Sequence, residues 1–233
     1  MLFRSVFVTN NSFSTVAEQE ATLASIGVPA RGDVITSAMA GASLVSEGES
    51  VLVCGGPGVV EAVGSVGARV VGHDEYERDE PLVDAVMVGF HRNFDYEIMR
   101  RAARAVRAGA RLIGTNDDAT YPTPAGPIPG GGSILAAIAT ASGVSPIVAG
   151  KPHVPMATIV RRMVDGVGDD AVMVGDRPST DGLFARTLGC RYALVRSGVT
   201  APGATTDGTT GLRVDIDVAD LAGVARSLGV SVP

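Results

Sequence analysis

Lys151 is the only lysine in a chain whose other 18 basic side chains are all arginine. Arginine is a wide planar fork, whereas a lysine ammonium is a compact point charge that enters a tight pocket and touches one phosphoryl oxygen. A surface lysine that has merely not become arginine is the plain alternative. Three polar clusters follow apolar runs: Thr9-Asn10-Asn11-Ser12, Gly150-Lys151-Pro152 and Gly175-Asp176-Arg177-Pro178-Ser179-Thr180-Asp181. A hydroxyl with turn amides, one ammonium and a carboxylate-held cation are the parts that stabilise a transferring phosphoryl group. Asp176 and Asp181 around one short turn are hard oxygen ligands of the kind Mg²⁺ takes, completing its shell with water and phosphate. A helix N-terminus would account for Asp181 through the dipole. It does not account for Asp176, which ends an apolar strand.

The elements that must place these residues alternate between strand and helix. Strands are expected at 4–8, 33–36, 50–54, 68–71, 84–88, 111–115, 146–149, 171–174 and 192–195. Helices are expected at 38–45, 96–108, 134–141, 155–164, 180–188 and 218–228, with another opened by Thr15 and Glu18 in a capping-box pattern and ended by Gly27. A Pro- and Gly-rich loop spans 121–132. Apolar strands alternating with helices imply an α/β fold with a mostly parallel sheet covered on both faces, and ligands then bind beyond the carboxyl ends of the strands.

Composition narrows the function. The 233 residues carry a net charge of −6 with no basic run, which argues against nucleic acid as a partner. No stretch approaches the ~18 apolar residues of a membrane span, and the N-terminus turns polar too early for a signal-peptide core, so a cytoplasmic protein is expected. Cys54 and Cys190 read as buried small hydrophobes.

Phe7-Val8-Thr9-Asn10-Asn11-Ser12, Gly150-Lys151-Pro152 and Val174-Gly175-Asp176 through Asp181 resemble, in order, the second, third and fourth motifs of the haloacid dehalogenase-like (HAD) phosphatases. The branch they are most similar to holds 4-nitrophenyl-, phosphoglycolate-, glycerol-phosphate and nucleotide monophosphatases. Thr115-Asn116-Asp117-Asp118 through Pro124, with Pro129-Gly130-Gly131-Gly132, also resemble the large α/β cap of that branch. The resemblance implies a Rossmann-like parallel-sheet core made of residues 1–36 and 146–233, with a cap inserted at 37–145. It implies that Thr9 holds a phosphoryl oxygen, with Asn10 and Asn11 beside it, and that Lys151 neutralises the phosphate. Asp176 then binds Mg²⁺, and Asp181 supports the ion directly or through water. Asn116 and Asp118 either orient the cap over the substrate or form a turn.

One part of the family pattern is missing. The first motif, an Asp-x-Asp-Gly strand end that supplies the nucleophile and the acid/base, should lie well before Thr9. The first aspartate here is Asp33, and the sole Asp-x-Asp, Asp215-Ile216-Asp217, lacks the glycine and is expected to cap the last helix. The chain is therefore expected to be truncated at its N-terminus and to turn over little. The function expected is that of a Mg²⁺-dependent hydrolase of a small phosphorylated metabolite, inactive as written. The alternative is a catalytically dead phosphate-binding or regulatory protein of the same fold. Oligomeric state is open, an exposed cap surface being able to pair two subunits. Gly56-Pro57-Gly58-Val59-Val60-Glu61 superficially resembles a dinucleotide loop, but Glu61 stands where the third glycine belongs, and a cap turn is the expected reading.

Overall fold

Val51 to Cys54 is apolar at every position, and the strand it forms is buried at every position. That is the pattern of a parallel strand covered on both faces. The computed structural model describes residues 4–72, 83–168, 170–200 and 211–230. The chain falls into two compact units: Ser5–Gly150, and Arg4 together with the residues from Lys151 onward.

The first unit runs β1 (Phe7–Thr9), α1 (Val16–Ser25), β2 (Val34–Thr36), α2 (Ser37–Ala42), β3 (Ser50–Cys54), α3 (Pro57–Ser65), β4 (Arg69–Gly72), β5 (Ala85–Val88), α4 (Tyr96–Arg107), β6 (Arg111–Gly114), β7 (Thr120–Tyr121), β8 (Ile128–Pro129), α5 (Gly131–Ser142) and β9 (Ile147–Val148). A five-stranded parallel sheet has the order β4-β3-β5-β6-β9, and β1 pairs in parallel with β2. Alternation along β3 divides the core: Leu52 packs with Val86, Leu112 and the α4–α5 residues Ile98, Ala102 and Ile138. Val51 and Val53 pack on the other side with Met87, Ile113 and the α3 residues Val59, Ala62 and Val63. The expected capping box on α1 is present, and Asp95 caps α4 by accepting from the Ile98 amide at 2.8 Å. The loop expected at 121–132 is structured by the antiparallel pair β7–β8, too short to leave a period-2 signal.

The second unit runs α6 (Val154–Met163), β10 (Val172–Gly175), a π-helical turn (Pro178–Gly182), α7 (Leu183–Leu188), β11 (Arg191–Val195), β12 (Ile216–Val218) and α8 (Leu221–Ser227). Its parallel sheet has the order β10-β11-β12, with Ala185, Tyr192 and Leu194 packed in one cluster and Met156 and Phe184 also fully buried. Two expectations are corrected here. Asp215 and Asp217 do not cap a helix. Asp215 Oδ2 accepts from the Tyr192 amide at 2.9 Å, while Arg196 grips both oxygens of Asp217 and holds its carboxyl below the usual range. Val218 ends β12, and the final helix begins three residues later, capped by Asp220. The helix expected from Thr180 likewise starts at Leu183, after the π-helical turn.

The units divide the chain after Arg4 and after Gly150, whereas the family resemblance groups 1–36 with 146–233. The local reason is that the segment after β1 is bonded to the five-stranded sheet's own loops. Gly58 N–H donates to the Phe13 carbonyl at 2.8 Å, and Val16 N–H donates to Glu61 at 2.9 Å. Cys54 is buried and its thiol is pushed up to about 12, whereas Cys190 is only half-buried, a correction to the reading of both as buried. Among the described residues no helix is long and apolar enough to cross a membrane.

Candidate active site

Strand β1 ends at Thr9, in register with Thr36 of β2. The chain then folds on its own side chains. Thr9 Oγ1 accepts from the Asn11 amide at 3.0 Å, and Asn11 Oδ1 accepts from the Phe13 amide at 3.0 Å. Short polar side chains capturing the amide two residues on are what build such turns. This local bond uses Thr9 Oγ1 as acceptor and does not consume the hydroxyl hydrogen.

Asn10 is held from three sides. Its carbonyl accepts from Ser37 Oγ at 2.8 Å and from Asn116 Nδ2 at 2.8 Å. Its own Nδ2 donates to Asp118 Oδ2 at 2.9 Å. Asn116 Oδ1 in turn accepts from the Asp118 amide at 3.1 Å. Four sequence-nominated residues, Asn10, Asn11, Asn116 and Asp118, therefore lie in one hydrogen-bonded assembly with Thr9. Asn116 forms the turn considered for it and also reaches the Asn10 carbonyl.

The assembly occupies a defined place in the sheet. Strand order reverses between β3 and β5, the crevice where open α/β sheets take their ligands. Here the crevice takes residues 12–14 of the same chain. Ser12 is fully buried and its Oγ accepts from Thr115 Oγ1 at 2.9 Å. A side chain on Gly56 would strike the Phe13 ring, and one on Gly58 would strike the carbonyls of Ser14 and Ser12. This is the physical reason for the glycines that superficially resemble a dinucleotide loop. Their helix N-terminus is filled by the Phe13 carbonyl, not by a phosphate.

The remaining three candidates belong to the second unit. Lys151 Nζ lies 2.7 Å from Asp181 Oδ1, with only 9% of Lys151 and 5% of Asp181 exposed. Asp181 Oδ2 also accepts from the Arg177 amide at 3.2 Å. The π-helical turn aims Asp181 back over the end of β10, where a Cβ on Gly175 would run into the carboxylate. Asp176, one residue on, is fixed differently: its Oδ2 accepts from the Val199 amide at 2.6 Å. Gly198 makes room for it, since a Cβ there would collide with the Asp176 carboxylate. Sequence reasoning missed Ser37, Gly198 and Val199. Ser37 follows a strand end and could have been found that way, whereas a lone Gly-Val carries no signal.

Both units are built on parallel strands, as in α/β proteins: the first carries the Thr9 hydroxyl at the end of β1, and the second carries the Lys151–Asp181 pair with Asp176 just past β10. Residues 2–69 match the model of the haloacid dehalogenase-like hydrolases, and residues 148–225 match a second model described as HAD-hydrolase-like. The chain is 33% identical over 199 residues to the acid sugar phosphatase of Staphylococcus saprophyticus, covering 84% of this chain and 74% of that one. It is 38% identical over 201 residues to the D-glycerol 3-phosphate phosphatase of Mycobacterium tuberculosis, covering 84% of this chain but spanning only 55% of that relative. The crystal structure of a glycerol phosphate phosphatase from Mycobacterium tuberculosis with magnesium superimposes with a TM-score of 0.84 at 34% identity, covering 95% of this chain and 67% of that one. The chain belongs to the haloacid dehalogenase-like hydrolase family.

Proposed function

We propose that this chain is the phosphoryl-handling body of a Mg²⁺-dependent phosphomonoester hydrolase for a small metabolite. The observation that carries the reading is the buried Lys151–Asp181 pair, held by the turn that also presents Asp176. In this role Thr9 donates its hydroxyl to a phosphoryl oxygen and the Asn10 and Asn11 turn flanks it. Lys151 neutralises phosphoryl charge, and Asp181 keeps the ammonium in place. The residues fit a magnesium ion: Asp176 offers one hard oxygen while the Val199 amide holds the other, and one or two carboxylates with water are what Mg²⁺ takes. Asp181, engaged by Lys151 and the Arg177 amide, suits support of the ion through water. Bound there, the ion supplies positive charge to the phosphoryl oxygens. A core of 1–36 and 146–233 with a cap at 37–145 is part of the proposal, supported by family-model matches that leave 70–147 between them.

The 233 residues contain no aspartate before Asp33, and both acids of Asp215-Ile216-Asp217 are engaged within the β10-β11-β12 sheet. Without a carboxylate nucleophile and an acid/base, which alone typically contributes ~10²- to 10⁴-fold, the chain by itself turns over little. A phosphate-binding or regulatory protein of the same fold is the second reading, since the lysine–aspartate pair serves phosphate binding without turnover equally well. The deciding experiment measures phosphate released from 4-nitrophenyl phosphate and glycerol 3-phosphate with and without Mg²⁺. The 233-residue chain is expected to be nearly silent. A fusion carrying an Asp-x-Asp-Gly strand–helix segment ahead of residue 1 is expected to gain Mg²⁺-dependent release. Robust release by the unfused chain refutes the inactivity, and a fusion that binds phosphate without turnover favours the regulatory reading.

A further inference from the structure

We propose that Asp118 and Asn116 are positioning residues that set the Thr9–Ser12 turn, and that Asp118 does so as a hydrogen-bond acceptor and not as a charge presented to the substrate. The inference deepens the phosphatase reading and rests on it for the turn's purpose, though not for the geometry. The sequence alone cannot separate two uses of a carboxylate near a phosphate: contact with the leaving group, or support of a neighbouring loop. The hydrogen bonds separate them. Asp118 Oδ2 is taken up by Asn10 Nδ2 at 2.9 Å, and the Asp118 amide is tied to Asn116 Oδ1 at 3.1 Å. Asn116 spends its amide on the Asn10 carbonyl at 2.8 Å. Both ends of Asn10 are thereby fixed, side chain and main chain, by two residues that are themselves joined.

The consequence reaches Thr9 through covalent neighbours. With Asn10 pinned, the Asn11 amide is delivered to Thr9 Oγ1 at 3.0 Å and Asn11 Oδ1 to the Phe13 amide at 3.0 Å. The Thr9 hydroxyl then keeps its hydrogen for an outside acceptor. The Asp118 carboxylate keeps its charge, but the bond from Asn10 Nδ2 turns Oδ2 to the loop and fixes it there. Gly150 lets the Asn10 side chain lie close to the main chain, since an added Cβ there would approach Asn10 Oδ1 to 2.7 Å.

The test compares Asp118→Ala, Asp118→Asn and Asn116→Ala by amide hydrogen exchange and by titration with inorganic phosphate. Losing one hydrogen bond to a charged acceptor should speed exchange of the Asn11 and Phe13 amides by about tenfold or more in Asp118→Ala. Strands β3 and β5 should exchange as before. Asp118→Asn, which keeps an acceptor oxygen and discards the charge, should restore the slow exchange. Asn116→Ala should loosen the same two amides, which keeps the proposal exposed if Asp118→Ala fails to fold. Unchanged exchange in Asp118→Ala or in Asn116→Ala overturns the positioning role, and an Asp118→Asn chain as loose as Asp118→Ala overturns the acceptor role. Phosphate is expected to protect the Asn11 amide in the parent and in Asp118→Asn, and to lose this effect in Asp118→Ala. A parent turn that is slow to exchange yet indifferent to phosphate would instead count against the phosphatase reading alone.

Discussion

Lys151 and Asp181 are each almost shut off from water, and a buried ion pair of this kind is worth little net but is costly to halve. Removing one partner leaves an uncompensated charge, at a cost of about 3–5 kcal/mol. Lys151→Ala and Asp181→Ala should therefore each lower the urea midpoint strongly, while the double substitution should cost much less than the two together. A double-mutant cycle in urea measures this, and strictly additive losses would show that the pair is not coupled. The isolated lysine in an arginine-rich chain was a readable signal because lysine and arginine differ in shape, and its burial answers the alternative of an unremarkable surface residue. Asp118's partner was not readable. Asn10 and Asp118 are 108 residues apart, and nothing in either local pattern names the other.

At the scale of elements, most strands and helices followed from apolar runs and caps, because β3, α4 and α1 carry their own signals: five apolar-rich positions, Asp95, and the Thr15–Glu18 box. The misread elements lie where local chemistry is ambiguous. Asp215-Ile216-Asp217-Val218 alternates polar and apolar residues like a strand, yet its aspartates also suit a cap, and only pairing with β11 decides between them. The π-helical turn cannot be told from a helix start by composition, although it aims Asp181 at Lys151. Gly198 and Val199, after β11, are equally silent in sequence and hold Asp176, the proposed metal ligand, directly. Gly198→Ala should drive the Asp176 carboxylate from its place under the Val199 amide and weaken Mn²⁺ binding by about tenfold, the manganese serving as a paramagnetic probe for a hard-oxygen site. Water-proton relaxation reads the affinity and a melting curve controls for folding. An unchanged affinity would remove Asp176 from the ligand set.

Over the whole molecule, apolar burial is distributed unequally. The unit from Ser5 to Gly150 encloses cores on both faces of its five-stranded sheet, with β3 and β5 buried at every position, whereas β10 and β12 of the other unit are only partly buried although Met156, Phe184, Tyr192 and Leu194 are buried there. Protection from exchange follows buried contacts, so amides of β3, β5 and β6 should outlast those of β10 and β12 by orders of magnitude. Native-state exchange followed by mass spectrometry checks this, and equal protection would mean that both sheets open together.

Residues 12–14 fill the crevice that an open α/β sheet ordinarily leaves for a guest, with Gly56 and Gly58 flattened beneath them. The sheet has thus become its own occupant, and the start of helix α3 is moulded to a neighbouring stretch of its own chain. Any methyl group added at position 58 must lift the main chain five residues beyond Thr9, so that a change on α3 is felt in the turn proposed to hold the phosphoryl group.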